Sequence, residues 1–171
     1  MKYDYKQLYE CHASFFRAHP KLKRAALLLN ILLTGLFFAV YGGFLLYAIA
    51  TDYTPHELTL IIGLPLLCLL IVSVLRLAID KPRPYSDKGA GIDPLVTKKK
   101  NENKSFPSRH AASALVIALT ILPYCPLLGA ALLVLSLPVC YLRFTTGLHY
   151  PLDIFIGALI GVACGAIGFF I

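Results

Sequence analysis

The sequence predicts an all-α integral membrane protein of about five transmembrane helices, preceded by an amphipathic helix lying at the membrane interface. Three observations predict it. The 171 residues are 58% hydrophobic and 15% charged, with a mean hydropathy of +0.72, whereas about a quarter of the residues of a soluble domain are charged. Five apolar segments approach or exceed the roughly 20 residues a spanning helix needs. The Lys and Arg residues fall between those segments: in the first 24 positions, from 76 to 109, and at Arg143. The length suits a single domain, 1–171.

Each element has its own signature. Residues 1–23 interleave Tyr3, Tyr5, Leu8, Tyr9, Ala13, Phe15 and Phe16 with Lys2, Lys6, Glu10 and Arg17. This pattern lacks the apolar run of a signal sequence and predicts an interfacial helix ending near Pro20. Residues 25–50 are uncharged and form the first span. The second, 57–80, opens near Glu57 and carries Pro65 as a kink. Residues 81–107 form the one long loop, rich in Lys, Asn, Gly and Pro, with Lys98, Lys99, Lys100 and Lys104. The third span, 108–123, runs from Ser108 to Pro123 and is short, extended by polar residues at its start. The fourth, 127–146, contains Pro138 and stops at Gly147. The fifth, 151–171, has Pro151 in its first turn. The connections 51–56 and 124–126 are short and contain no Lys or Arg.

A net charge of +7 raises the question of nucleic acid. The alternation of charge with bilayer-length apolar segments argues against it and favours anionic headgroups or phosphate. The cysteines Cys11, Cys68, Cys125, Cys140 and Cys164 include no C-x-x-C pair, so neither a disulfide framework nor a zinc site is expected. Their ordinary role is that of small buried hydrophobes.

Alternating helices sort their ends onto two faces. Arg76 and Arg83 belong to the end of the second span. Ser108, Arg109 and His110 open the third, Arg143 lies near the end of the fourth, and His149 and Asp153 bracket the start of the fifth. All eight share one face. Singly, each has a plain explanation. Arg76 and Arg143 could snorkel, Ser108 could cap a helix, Asp153 could complement a helix dipole, and the histidines could be interfacial. A charge inside a span nevertheless costs roughly 2.5–3.5 kcal/mol on insertion scales, and eight independent coincidences on one face are a poor explanation.

The chemistry these residues suggest is phosphoryl transfer. Arginine guanidinium groups match phosphoryl oxygens with planar, multidentate donors. The start of the third span offers free backbone N–H groups and a positive dipole end. Two histidines supply a nucleophile and a general acid. Asp153, four residues after His149, can reach back to one ring nitrogen and leave the other as a lone pair.

Three segments carry a resemblance: Arg76-Leu-Ala-Ile-Asp-Lys-Pro-Arg83-Pro84, Phe106-Pro-Ser-Arg-His110, and Arg143-Phe-Thr-Thr-Gly-Leu-His149-Tyr-Pro-Leu-Asp153. They resemble the three ordered signature motifs of the type 2 phosphatidic acid phosphatase superfamily. The resemblance implies that Arg76, Arg83, Ser108 and Arg143 bind phosphate and that His110 protonates the leaving group. It implies too that His149 attacks phosphorus and Asp153 orients it. It implies no metal and no other cofactor. The sequence departs from the family pattern at Arg76, where Lys is usual, and at Leu142, where Ser is frequent. A third departure is Arg109, where Gly is frequent; its side chain there is expected to add a phosphate contact or to restrict the mouth of the site.

The expected partners are therefore a lipid phosphate and the bilayer, with no nucleic acid. Oligomeric state is not legible. Undecaprenyl diphosphate heads the substrates, with phosphatidylglycerol phosphate and phosphatidic acid as alternatives. A vanadium haloperoxidase-like role is disfavoured by the spans. A non-catalytic lipid-phosphate binder or transporter would keep the arginines but has no need of His110, His149 and Asp153 together. Two arguments oppose each other on sidedness. All 16 Lys and Arg fall on the catalytic face, which the positive-inside rule assigns to the cytoplasm. The resemblance implies an extracytoplasmic site in a multi-pass cell-membrane protein, and this is the expectation adopted.

Overall fold

A computed structural model of the chain describes residues 5–87, 90–96 and 104–171. Lys2, Tyr3 and the run 98–100 fall outside the described residues. The order is α1 (Tyr5–Ala18), α2 (Pro20–Ala50), α3 (Pro55–Ile79), α4 (Arg109–Ile121), α5 (Pro126–Thr145) and α6 (Pro151–Ala166), closed by a 3-10 turn at Ile167–Phe169. The chain is all-α, as the sequence predicts. Proline opens α2, α3, α5 and α6, where its missing N–H costs nothing and its fixed φ suits the first turn. Thr54 and Glu57 form a reciprocal capping box at the start of α3. Pro65 and Pro138 sit inside α3 and α5 without ending them.

Among the described residues, four helices, α2, α3, α5 and α6 with its 3-10 turn, are long and apolar enough to cross a membrane. Leu28, Ile31, Leu32, Leu70, Val74, Leu137 and Phe155 stand exposed on them, a surface that suits lipid. The protein is thus an integral membrane protein. The third expected span, 108–123, differs. α4 has 13 residues, about 20 Å at 1.5 Å per residue, against a hydrocarbon thickness of about 30 Å. It is the central helix, packed against α3, α5 and α6, and most of its side chains are buried. The expected extension by polar residues at its start is not helical. It is the non-helical stretch Ser105–Ser108, buried at Ser105, Pro107 and Ser108. Irregular backbone at such depth persists only where protein groups satisfy it, and the residues that do so belong to the site.

The α4–α6 contact is built on glycine. A Cβ on Gly157 would strike the Ser108 carbonyl oxygen, one on Gly161 the Ala112 carbonyl oxygen, and one on Gly165 the Leu119 side chain. Small residues every fourth position let two helix backbones approach closely. The Ser108 N–H donates to the Asp153 carbonyl at 2.8 Å, fixing the start of α4 against the start of α6.

α1 packs against the site end of the bundle rather than only lying beside it. Tyr9 and Ala13 are fully buried in a cluster with Tyr85, Ile92, Leu95 and Leu148. Tyr9 also determines Gly147, which adopts φ +73° and has no room for a Cβ beneath the Tyr9 hydroxyl.

Candidate active site

The eight expected residues converge. Arg76, Arg83, Arg109, His110, Arg143 and His149 line one small polar pocket, floored by Leu148. Ser108 and Asp153 lie directly behind it, joined by the backbone bond above. Arg76, Arg83, Arg143 and His149 are each at most 6% exposed, and Asp153 is fully buried. Arg109 is exposed and stands at the mouth.

The Ser105–Ser108 stretch is the frame. Arg76 donates from Nη1 to the Pro107 carbonyl at 2.8 Å. The Ser105 N–H donates to the Lys81 carbonyl. The Ser105 carbonyl accepts from His149 Nδ1 at 2.8 Å. Arg83 donates from Nη1 to the Leu148 carbonyl at 3.1 Å, and Arg143 from Nη2 to Thr34 Oγ1 at 2.8 Å. Segments 76–83, 105–110 and 143–153 are therefore tied together through backbone carbonyls.

The histidine is oriented differently from the expectation. Asp153 lies four residues from His149, but its Oδ2 is 3.9 Å from Nδ1, beyond hydrogen-bond length. The Ser105 carbonyl takes that position. A carbonyl only accepts, so Nδ1 carries the hydrogen and Nε2 holds the lone pair. Asp153 instead anchors the frame. It accepts from Lys81 Nζ at 2.8 Å, from the Ser105 hydroxyl at 2.5 Å and from the Tyr150 N–H at 3.0 Å. The carboxylate thus acts on the imidazole one residue removed, by fixing Ser105.

Electrostatics favour a neutral histidine. Burial holds the His149 pKa well below the ordinary range, and Arg83, Arg76, His110 and Arg143 depress it further. A proton is therefore bound only well below about pH 6.5, and the Nε2 lone pair is present at neutral pH. Burial also lowers Arg83, which does not discharge a guanidinium. Among the described residues, two of the buried polar atoms without a partner belong to the site: the hydroxyl of the fully buried Ser108, and Arg143 Nε. Each such group costs about 1–3 kcal/mol when left unsatisfied, and both lie among residues that would surround an anion.

A model of the PAP2 superfamily matches residues 57–170, two thirds of the chain. The chain belongs to the PAP2 superfamily. It is also similar to the crystal structure of LpxE from Aquifex aeolicus, with a TM-score of 0.73 and 26% identity over 96% of this chain and 94% of that one. A search of curated protein sequences gave no match. Membership in this superfamily makes the chain a membrane phosphatase of lipid phosphates.

Three residues were not singled out by the sequence. Lys81 lies inside the first motif segment, and its ion pair with Asp153 had no signal beyond its place between Asp80 and Pro82. Ser105 precedes the second motif and acts chiefly through its carbonyl, which every residue has. Thr34 lies in the first apolar span, where a lone threonine ordinarily satisfies itself against its own helix.

Proposed function

We propose that the chain hydrolyses a lipid phosphate or diphosphate at the membrane interface through a phosphohistidine at His149, with a polyprenyl diphosphate such as undecaprenyl diphosphate as its substrate. One observation carries the reading. The polar pocket adjoins an apolar groove lined by Thr34, Phe37, Phe38, Leu69, Ile117 and Val139, the two sharing Arg109 and His110 as lining residues. A charged head and a hydrocarbon chain are accommodated side by side, and the joint between them is the acid-base residue and the outermost arginine.

The steps follow from the chemistry of the groups. Arg76, Arg83 and Arg143, with the Ser108 hydroxyl and the N-terminus of α4, hold the phosphoryl oxygens. His149 Nε2 attacks phosphorus as the bond to the leaving oxygen breaks, and His110 delivers a proton to that oxygen. The N–P bond then forms on a ring that has become cationic. The nearby Asp153 charge, the Ser105 carbonyl and the arginine-bound phosphoryl group stabilise it. Water, deprotonated by His110, attacks the phosphohistidine, and orthophosphate leaves with His149 neutral again. For a diphosphate the leaving group is the lipid monophosphate, and Arg109 at the mouth is placed beside it.

The test is phosphate release by detergent-solubilised protein from undecaprenyl diphosphate, phosphatidylglycerol phosphate and phosphatidic acid, with and without EDTA. Highest kcat/KM on the diphosphate, undiminished by EDTA, is expected. Release from none of the three would leave a non-catalytic lipid-phosphate binder. We further propose that the site opens outside the cytoplasm. A Lys99→Cys substitution in a Cys-free variant tests this with an impermeant maleimide on intact cells. Labelling without permeabilisation is expected, and labelling only after permeabilisation would return the site to the cytoplasm, as the charge distribution alone requires.

A further inference from the structure

We propose that Thr34, on α2, is a positioning residue that fixes the Arg143 guanidinium for the phosphoryl group; the inference rests on the phosphatase reading above. Arg143 is 4% exposed near the end of α5. Among the described residues its hydrogen bond goes to a single atom, Thr34 Oγ1, 109 positions away. Its Nε is buried without a partner. The other arginines of the pocket whose bonds are described above, Arg76 and Arg83, are fixed to backbone carbonyls, which side-chain substitution does not remove. Arg143 is fixed instead to a side chain.

The Thr34 hydroxyl is itself fixed. It donates to the Asn30 carbonyl at 2.8 Å, so its proton is committed and its lone pairs remain for the guanidinium. With Nη2 held on α2, the plane of the fork is set, and Nε is left for the ligand. The back-bond to Asn30 alone would be the ordinary behaviour of threonine in an apolar helix. The arginine contact is additional. Thr34 also lines the apolar groove, so one side chain borders both the space for the hydrocarbon chain and the clamp on the phosphate. It lies outside residues 57–170, the portion the superfamily model covers.

Thr34→Val keeps the shape and removes the hydroxyl; Thr34→Ser keeps the hydroxyl. On a polyprenyl diphosphate, Thr34→Val is expected to lower kcat about tenfold with KM changed less than about twofold, and Thr34→Ser to remain near wild type. The effects of Thr34→Val and Arg143→Lys should be strongly non-additive, because the first acts through the second residue. Calorimetry with orthophosphate gives a readout independent of turnover: Thr34→Val should weaken binding several-fold and Thr34→Ser should not. Unchanged kcat and phosphate affinity in Thr34→Val would overturn the inference. So would equal losses in Val and Ser, or full additivity with Arg143→Lys. Absence of turnover in the wild type, with the phosphate-binding difference intact, would instead overturn the phosphatase reading and leave the positioning role standing.

Discussion

Two helices of this protein look alike in sequence and do opposite things. The apolar stretch of α2 and the whole of α6 are both rich in glycine: Gly35, Gly42 and Gly43 in one, Gly157, Gly161 and Gly165 in the other. Around the α2 glycines an added Cβ meets nothing within 4 Å, whereas each α6 glycine is pressed against α4. Most of α2 faces outward, and of its 31 residues only Leu33, Phe37, Phe44 and Ala48 are buried. α6 begins with the fully buried Asp153 and holds the frame of the site. The difference teaches that the candidate site is built by α3–α6 and their connections, where backbone approaches backbone. The N-terminal helices supply one wall of the groove, one hydroxyl to Arg143 and a cover over the loops.

The strongest way to break this comparison is at the threshold of α6. His149→Ala is expected to abolish turnover, by at least about 10³-fold, while thermal stability in detergent and lipid binding are retained. Rapid-quench labelling with a ³²P-substrate should trap phosphoprotein in the wild type and none in the variant. Retained turnover would remove the nucleophile from the mechanism. His110→Ala comes next, at about 10²–10⁴-fold on a natural lipid phosphate, the usual worth of general acid–base catalysis. The loss should be smaller on a nitrophenyl phosphate, whose leaving group needs no proton; an equal loss on both would remove the acid role.

Glycine substitution tests the comparison itself. Gly157→Ala forces a methyl group against the Ser108 carbonyl. Overpacking of this kind typically costs about 1–3 kcal/mol, and here it displaces the start of α4. A lowered melting temperature and a reduced kcat are expected together. Gly35→Ala in α2 should be neutral or stabilising, by up to about 1 kcal/mol, since glycine is the poorer helix former. Equal destabilisation by the two substitutions would dissolve the distinction between the helices.

Much of this was legible in the sequence, for identifiable reasons. The apolar lengths of α2, α3, α5 and α6 and their opening prolines are local signals, which a sequence displays directly. The convergence of Arg76, Arg83, Ser108, Arg109, His110, Arg143, His149 and Asp153 follows from helix alternation alone. What was not legible depends on contacts distant in sequence. The shortness of α4 comes from burial among three helices, and apolar composition does not distinguish burial in protein from burial in lipid. Asp153 sits at the helical spacing for a direct bond to His149, yet the Ser105 carbonyl takes that nitrogen, and a backbone acceptor leaves no mark in a sequence. The glycine spacing of α6 was visible, but α2 shows that glycine in an apolar helix does not declare a contact.

The smallest expected effect lies farthest from the chemistry, on α1. Tyr9 is fully buried; its hydroxyl donates to the Asp93 carbonyl at 3.2 Å and accepts from the Leu95 N–H at 3.1 Å. Burial raises its pKa to about 12, so the phenol is neutral at any working pH and acts as a hydrogen-bond bridge from α1 to the loop before Ser105. Tyr9→Phe keeps the ring over Gly147 and removes both bonds. The Leu95 N–H is then left buried without this acceptor, a cost of about 1–3 kcal/mol. If α1 is a cover, the loop should loosen locally. Faster amide exchange at residues 92–95 is expected, with a modest rise in KM for a long-chain lipid and kcat within about twofold of wild type. If kcat falls with KM unchanged, α1 belongs with α3–α6 as part of the catalytic frame, and only α2 remains outside it.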